Sequence, residues 1–281
     1  NFDSIYYRKS IITAFKEAGF QTAFFSNQRY NHSFIDFFGM EADTYDFIKE
    51  DSQDSQYNPS DDELLMLVEK ELEKGNRKQF IVLHTYGSHF NYRERYPETA
   101  AFFLPDFPVD AEVKYKDNLM NAYDNSIRYT DNFLARIIHL LKQQQVDASM
   151  LYTSDHGEDI FDDGRHLFLH ASPVPSYYQL HVPLLLWTSD SYREEYPGIE
   201  KAASMNRQKN ISSSISFFQT MMELAGIETP YRNDSLSVTS PLYTEKSRVY
   251  LNDHNEPRPL DDIGMRKEDF EMLKKRGIDA Q

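Results

Sequence analysis

Apolar residues recur along this chain in two alternating patterns, short unbroken runs and stripes at helical spacing. Residues 7–18 place Ile11, Ile12, Phe15 and Ala18 on one helical face, and Gly19 stops that helix. Residues 21–26 (QTAFFS) read as a short strand. Residues 61–73 form an amphipathic helix with Ser60 as its expected N-cap. Residues 79–85 (QFIVLHT) give a strong buried-strand signal. Residues 113–143 are mainly helical, with Leu119, Ala122, Ile127, Leu134, Ile138 and Leu141 as expected core positions. Strands follow at 149–154 (SMLYTS) and 182–187 (VPLLLW), a helix at 215–225 ended by Gly226, a late strand at 248–251 and a charged helix at 268–276. The acidic, polar stretch 43–62 reads as a surface excursion.

Continuous apolar strands alternating with helices predict an α/β fold, a mostly parallel central sheet with helices on both faces. The 281 residues are read as a single domain, 1–281, a length that one α/β domain commonly reaches. In such sheets ligands bind beyond the carboxyl ends of the strands. The polar clusters all follow strands: Asn27-Gln28 the first, Gly87-Ser88-His89 the second, and Asp155-His156-Gly157-Glu158 the third. They are therefore expected to converge on one edge of the sheet.

Composition narrows the chemistry. A net charge of −15 with no Lys/Arg-rich tract argues against nucleic acid as a partner, which needs a basic surface. The absence of cysteine excludes disulfides, thiolate metal sites and a Cys nucleophile. No apolar run approaches the ~20 residues that span a bilayer, and no signal peptide opens the chain. The first residue is Asn1 rather than Met, so the chain is read as an excised or processed fragment. A missing anchor then says nothing of the intact protein.

The sharpest local signal is Ser154-Asp155-His156-Gly157-Glu158. A buried strand ends in an anionic oxygen ligand and a neutral imidazole, a pair suited to Zn²⁺ or Mn²⁺. The same pair also serves as a helix cap beside a locally packed histidine, and the two residues alone do not separate these readings. A second signal is Arg165-His166-Leu167-Phe168-Leu169-His170, which neighbouring Pro and Gly assign to a loop rather than a helix. A third is His89, after a glycine turn; a lone histidine there is more often structural. His84, inside the strand, is read as a core histidine, and His32, His139 and His254 have no motif around them.

Taken together, LHTYGSHFNYRERYP (83–97), NAYDNSIRYTD (121–131), the SDHGE to HVPLLLW run (154–187) and AGFQTAFFSNQ (18–28) resemble the periplasmic catalytic domain of phosphoethanolamine transferases, in the alkaline phosphatase/sulfatase superfamily. The resemblance extends to about Leu224. It implies an alkaline phosphatase-like (sulfatase-like) fold. It implies that Asp155 and His156 bind metal, Zn²⁺ with Mn²⁺ or Ca²⁺ as alternatives. It assigns His89 and His170 to the transferred phosphoryl group, as catalytic imidazoles or ligands of a further zinc. Asn27 and Gln28 fall near the substrate head group. For Asp124 and Asn125 helix packing stands beside substrate contact.

The family also uses a Thr nucleophile and a further acidic ligand, expected ahead of the segment matching residues 2–27. With only two ligands of its own, the chain is expected to hold zinc weakly and to be inactive alone. A missing first strand would leave a raw sheet edge that promotes dimerisation. The implied partners of the intact protein are a phospholipid donor and a lipid A or glycan acceptor. Its implied place is the periplasmic face of the bacterial inner membrane, with a membrane anchor. A zinc-activated Thr would attack the phosphorus of phosphatidylethanolamine, diacylglycerol would leave, and the acceptor would take the phosphoethanolamine. Three rival readings stand beside this: a sulfatase-like ester hydrolase, a non-catalytic α/β binding domain, and an unrelated α/β protein with coincidental histidines.

Overall fold

The structure is a computed structural model that describes residues 9–30, 34–49, 60–75, 78–170, 174–251 and 256–278. His32 and His254 lie outside the described residues. The chain forms two compact units, one of Asn1–Asp110 with Asp117–Gln144, the other of Ala111–Lys116 with Gln145–Gln281.

In the first unit the elements run α1 (Ile11–Glu17), β1 (Gln21–Ser26), α2 (Phe34–Gly39), β2 (Thr44–Phe47), α3 (Glu63–Glu73), β3 (Gln79–His84) and α4 (Lys116–Gln143). β1 is the central strand of a three-stranded parallel sheet in the order β2-β1-β3. It is buried along its length from Thr22 to Ser26, as expected of a strand paired on both edges and covered on its faces. Phe15 of α1 stacks on Phe80 of β3, ring centroids 3.7 Å apart. β2 corrects the reading of residues 43–62 as surface only: Ala23 to Ser26 pair with Thr44 to Phe47. The strand escapes notice because it is a short edge strand that buries Phe47 and leaves Tyr45 half exposed.

Two helices also depart from expectation. α3 begins at Glu63, and Ser60 is not its N-cap; the Ser60 hydroxyl instead accepts from Asp62 N in the preceding turn. On α4 Ile127 faces solvent, while Leu119, Ala122, Phe133, Leu134 and Ile137 are buried. Between them lies Asn125, 1% exposed. Its Oδ1 accepts from Phe102 N and Phe103 N, and its Nδ2 donates to Phe103 O and to the Tyr96 hydroxyl. Asn125 thus clamps the 102–103 loop, a packing role. Burial raises the carboxyl of Asp124 above its ordinary value.

The second unit carries β4 (Ser149–Thr153), the short hairpin β5 (Asp159–Ile160) with β6 (Phe168–Leu169), α5 (Tyr177–Leu180), β7 (Leu184–Thr188), α6 (Asp190–Glu195), α7 (Pro197–Asn206), α8 (Ser213–Leu224), the pair β8 (Val249–Leu251) and β9 (Pro257–Pro259), and α9 (Lys267–Lys275). Both apolar runs expected as strands are strands, but β4 and β7 pair antiparallel, from Ser149↔Thr188 to Thr153↔Leu184. A continuous apolar run leaves direction open, and neither strand is buried throughout: β4 is half-buried along its length and Leu185 of β7 is exposed. α9 packs through Leu273 against Tyr177 and Leu260. Among the described residues no helix is long and apolar enough to cross a membrane.

Candidate functional site

In the first unit polar side chains gather where β1 and β3 end. Asn27, 1% exposed, donates from Nδ2 to Asp61 Oδ1 at 2.7 Å. The same carboxylate accepts Tyr86 N at Oδ1 (2.8 Å) and Gly87 N at Oδ2 (2.9 Å). Asp61 therefore ties the loop after β1 to the loop after β3. Gln28 Nε2 lies 3.3 Å from His84 Nε2, and Ser26 Oγ lies 2.9 Å from His84 Nδ1. His84 is a half-buried strand residue inside this network rather than an isolated core side chain. His89 is exposed, its ring set edge-on to Tyr86 with centroids 5.2 Å apart. Asp61 is the residue that sequence reasoning missed here. It precedes Tyr86 by 25 positions, and nothing local marks it.

In the second unit β4 delivers the Asp155-His156-Gly157-Glu158 turn. The turn is held against α5: Gly157 N donates to Gln179 O at 2.8 Å. A side chain at 157 is impossible without movement, because a Cβ there would lie 2.1 Å from Tyr178 O. Buried Asp159 accepts from Ser176 Oγ (2.7 Å) and Gln179 Nε2 (2.5 Å), which fastens the other end of the segment to α5. Burial outweighs those hydrogen bonds and raises its carboxyl above the ordinary range.

The turn brings His156 and Glu158 to His170. The two imidazole rings have centroids 3.7 Å apart, and His170 Nδ1 lies 3.0 Å from Glu158 Oε1. One ligand atom from each of His156, Glu158 and His170 lies within 4.8 Å of the other two, a set able to hold a metal ion. Two imidazoles and a carboxylate match the donor set of catalytic zinc sites, which use three protein ligands. His156 Nδ1 is 3.0 Å from Gly157 O. An N–H donated there fixes the tautomer that leaves Nε2 to ligate. Asp155 stands at the rim, its side chain 86% exposed and its Oδ2 3.7 Å from His156 Nε2. Asp155, His156 and His170 are thus brought together in this unit. Glu158 lies in the same motif, and its part in the cluster emerges only from the fold.

His170 is reached through a loop held in unusual backbone. Phe161, His166 and Leu169 have φ of 52°, 54° and 66°, the left-handed region that non-glycine residues seldom adopt. Such conformations cost about 1–3 kcal/mol each and persist only where their surroundings dictate them. Arg165 supplies part of that surrounding. Its guanidinium donates to Asp163 Oδ2 at 2.6 Å and forks onto buried Asp269 at 2.7 and 2.8 Å. The hydrogen bonds from Arg165 hold the Asp163 carboxyl below its ordinary value, and Asp163 first, then Asp269, raise Arg165. A depressed carboxylate adds stability that is present above the unfolded value, about 3.9, and is lost as pH falls through the folded value. Asp163→Asn is therefore expected to lower the urea midpoint at pH 6 and to match the wild type once both are taken well below pH 4.

The sequence profile of the family described as Sulfatase matches residues 3–227. The chain belongs to the sulfatase family. It is 36% identical over 157 residues to phosphoethanolamine transferase EptA of Escherichia coli (strain K12), covering 54% of this chain and 28% of that relative. The chain thus spans less than a third of that relative's length. The C-terminal periplasmic domain of EptC from Escherichia coli superposes with a TM-score of 0.75 at 25% identity, over 86% of this chain and 68% of that one. A zinc complex of the same EptC domain gives 0.74 at 23%, covering 92% and 73%. The expected α/β, sulfatase-like fold is borne out.

Proposed function

We propose that this chain is the catalytic part of a metal-dependent phosphoethanolamine transferase. The observation that carries this reading is the clustering of His156, Glu158 and His170 at the end of β4 in a sulfatase-family chain. In the intact protein the reaction moves phosphoethanolamine from a phospholipid donor, releasing diacylglycerol, to a lipid A or glycan acceptor. It takes place at the periplasmic face of the bacterial inner membrane. The similarity to phosphoethanolamine transferase EptA supports the transferred group, and the similarity to the periplasmic domain of EptC supports the compartment.

Zn²⁺ is the metal the donor set favours, since imidazole and carboxylate suit it in a tetrahedral site. When bound it would supply Lewis-acid stabilisation of charge on phosphoryl oxygens. In the second unit His156, Glu158 and His170 would hold it, with Asp155 closing the site from the rim. His170 also keeps its proposed role toward the phosphoryl group. In the first unit Asn27 and Gln28 form the proposed head-group segment, with Gln28 as its contact, and His89 is an imidazole for the phosphoryl oxygens. Asn27, 1% exposed, anchors that segment through its bond to Asp61.

Two measurements test the proposal. Zn²⁺ titration of this chain should saturate at one site, and His156→Ala, Glu158→Ala or His170→Ala should each weaken binding about tenfold or more. The full-length protein in vesicles of phosphatidylethanolamine should transfer phosphoethanolamine to lipid A, read by the mass of the product. Release of sulfate from an aryl sulfate, with no transfer, would instead make it a hydrolase.

A further inference from the structure

Among the described residues the least exposed carboxylate of the second unit is not in the metal-capable cluster. Asp269, on α9, is 1% exposed and accepts four hydrogen bonds. Arg165 Nη1 and Nη2 reach its two oxygens at 2.7 and 2.8 Å, Tyr177 N donates to Oδ1 at 2.9 Å, and Arg266 N donates to Oδ2 at 3.1 Å. Two of these donors lead to the cluster by separate routes. Arg165 sits between Phe161 and His166, in the left-handed loop that runs on to His170. Tyr177 opens α5, whose Gln179 holds Gly157 through its carbonyl and Asp159 through its side-chain amide. One buried carboxylate therefore fixes both strands of backbone that carry His156, Glu158 and His170.

We infer that Asp269 is a positioning residue that sets the spacing of the His156–Glu158–His170 cluster through Arg165 and α5. Its geometry explains a requirement the ligands cannot meet themselves. His170 follows three residues in disfavoured backbone, and a bidentate Arg–carboxylate pair resists rotation as well as displacement. Fixing ligand-bearing backbone in advance keeps a metal site close to its binding geometry. The inference rests on the proposed metal reading for its purpose, and on the hydrogen bonds alone for its structural content.

The test uses the full chain and three variants. Asp269→Asn is nearly isosteric but turns one acceptor into an NH₂ group facing a donor. Arg165→Lys keeps the charge and loses the fork. Leu273→Ala loosens α9 by removing packing against Tyr177 and Leu260 while leaving the carboxylate untouched. Without metal, hydrogen exchange is followed at Phe161 and His166, whose amides donate to Leu167 O and Asp163 O. Asp269→Asn and Arg165→Lys should speed that exchange about tenfold or more and weaken Co²⁺ binding, followed by its visible spectrum, by about tenfold. Leu273→Ala, with an equal or larger fall in Tm, should leave both within about twofold. The inference is overturned if Leu273→Ala moves both readouts as far as Asp269→Asn. It is equally overturned if the two clamp variants leave the exchange unchanged. A wild-type chain that takes up no Co²⁺ would sink the metal reading, and the exchange arm would still decide whether Asp269 holds the loop.

Discussion

Gly157→Ala is expected to destabilise the second unit by about 2–4 kcal/mol and to abolish metal binding in whatever remains folded. The added methyl would sit 2.1 Å from Tyr178 O, with the carbonyl carbon at 3.2 Å and Gln179 Cα at 3.6 Å. All three neighbours are backbone, so no side chain can swing aside. Relief requires α5 to withdraw, which breaks the Gly157 N to Gln179 O bond and strains the Asp159 contacts beside it. Overpacking of this kind costs about 1–3 kcal/mol, and a lost buried hydrogen bond adds about 1 kcal/mol. Gly198→Ala is the matched control. Gly198 lies in the first turn of α7 with nothing within 4 Å of a new Cβ, so that change should be neutral or slightly stabilising. Urea unfolding of both variants separates the two cases. A Gly157→Ala protein within about 1 kcal/mol of wild type would show that α5 shifts freely and that the turn is not built to a fixed spacing.

The parts of this molecule legible in the sequence are those where one local property decides the structure. β1 announces itself because a strand covered on both faces must be apolar throughout; β3 carries a similar apolar run although only Phe80 of it is buried. The Asp155-His156-Gly157-Glu158 turn announces itself because two ligand types follow an apolar strand. β2 was hidden because an edge strand of four residues with a single buried side chain carries no such signature. Ile127 departs from its expected core position for a different reason. The apolar stripe on α4 runs through Leu134 and Ile137, and Asn125 and Ser126 occupy buried positions that hydrophobicity would have assigned elsewhere. The polar scaffold was out of reach altogether. Arg165 and Asp269 are 104 residues apart, and Asp61 meets Tyr86 and Gly87 across 25 and 26. Each is an ordinary charged residue until the fold supplies its partner. Glu158 is intermediate: its position is in the motif, but its role depends on a loop that returns His170 to it.

The second large effect is expected at Asp61. Asp61→Ala removes three charge-assisted hydrogen bonds at once, from Asn27 Nδ2, Tyr86 N and Gly87 N. Asn27 is almost wholly buried, so its amide loses a partner that water cannot readily replace. The two backbone amides are half buried and recover part of their loss from solvent. The sum is a destabilisation of about 3 kcal/mol, with the loops after β1 and β3 released from each other. Asp61→Asn sharpens the reading. It preserves shape and keeps one carbonyl oxygen, which suffices for Asn27 and Tyr86 at Oδ1. The other oxygen becomes an NH₂ that faces the Gly87 N–H, donor against donor. It should therefore lose about half as much stability as alanine, and the amide of Gly87 should be the one whose hydrogen exchange accelerates most. If the asparagine variant instead matched alanine, with Asn27 equally disturbed, net charge at residue 61 rather than the directed bonds would hold the strand ends together. The proposed head-group role of the 27–28 segment would then lose its structural basis, because that role depends on Asn27 being anchored by Asp61.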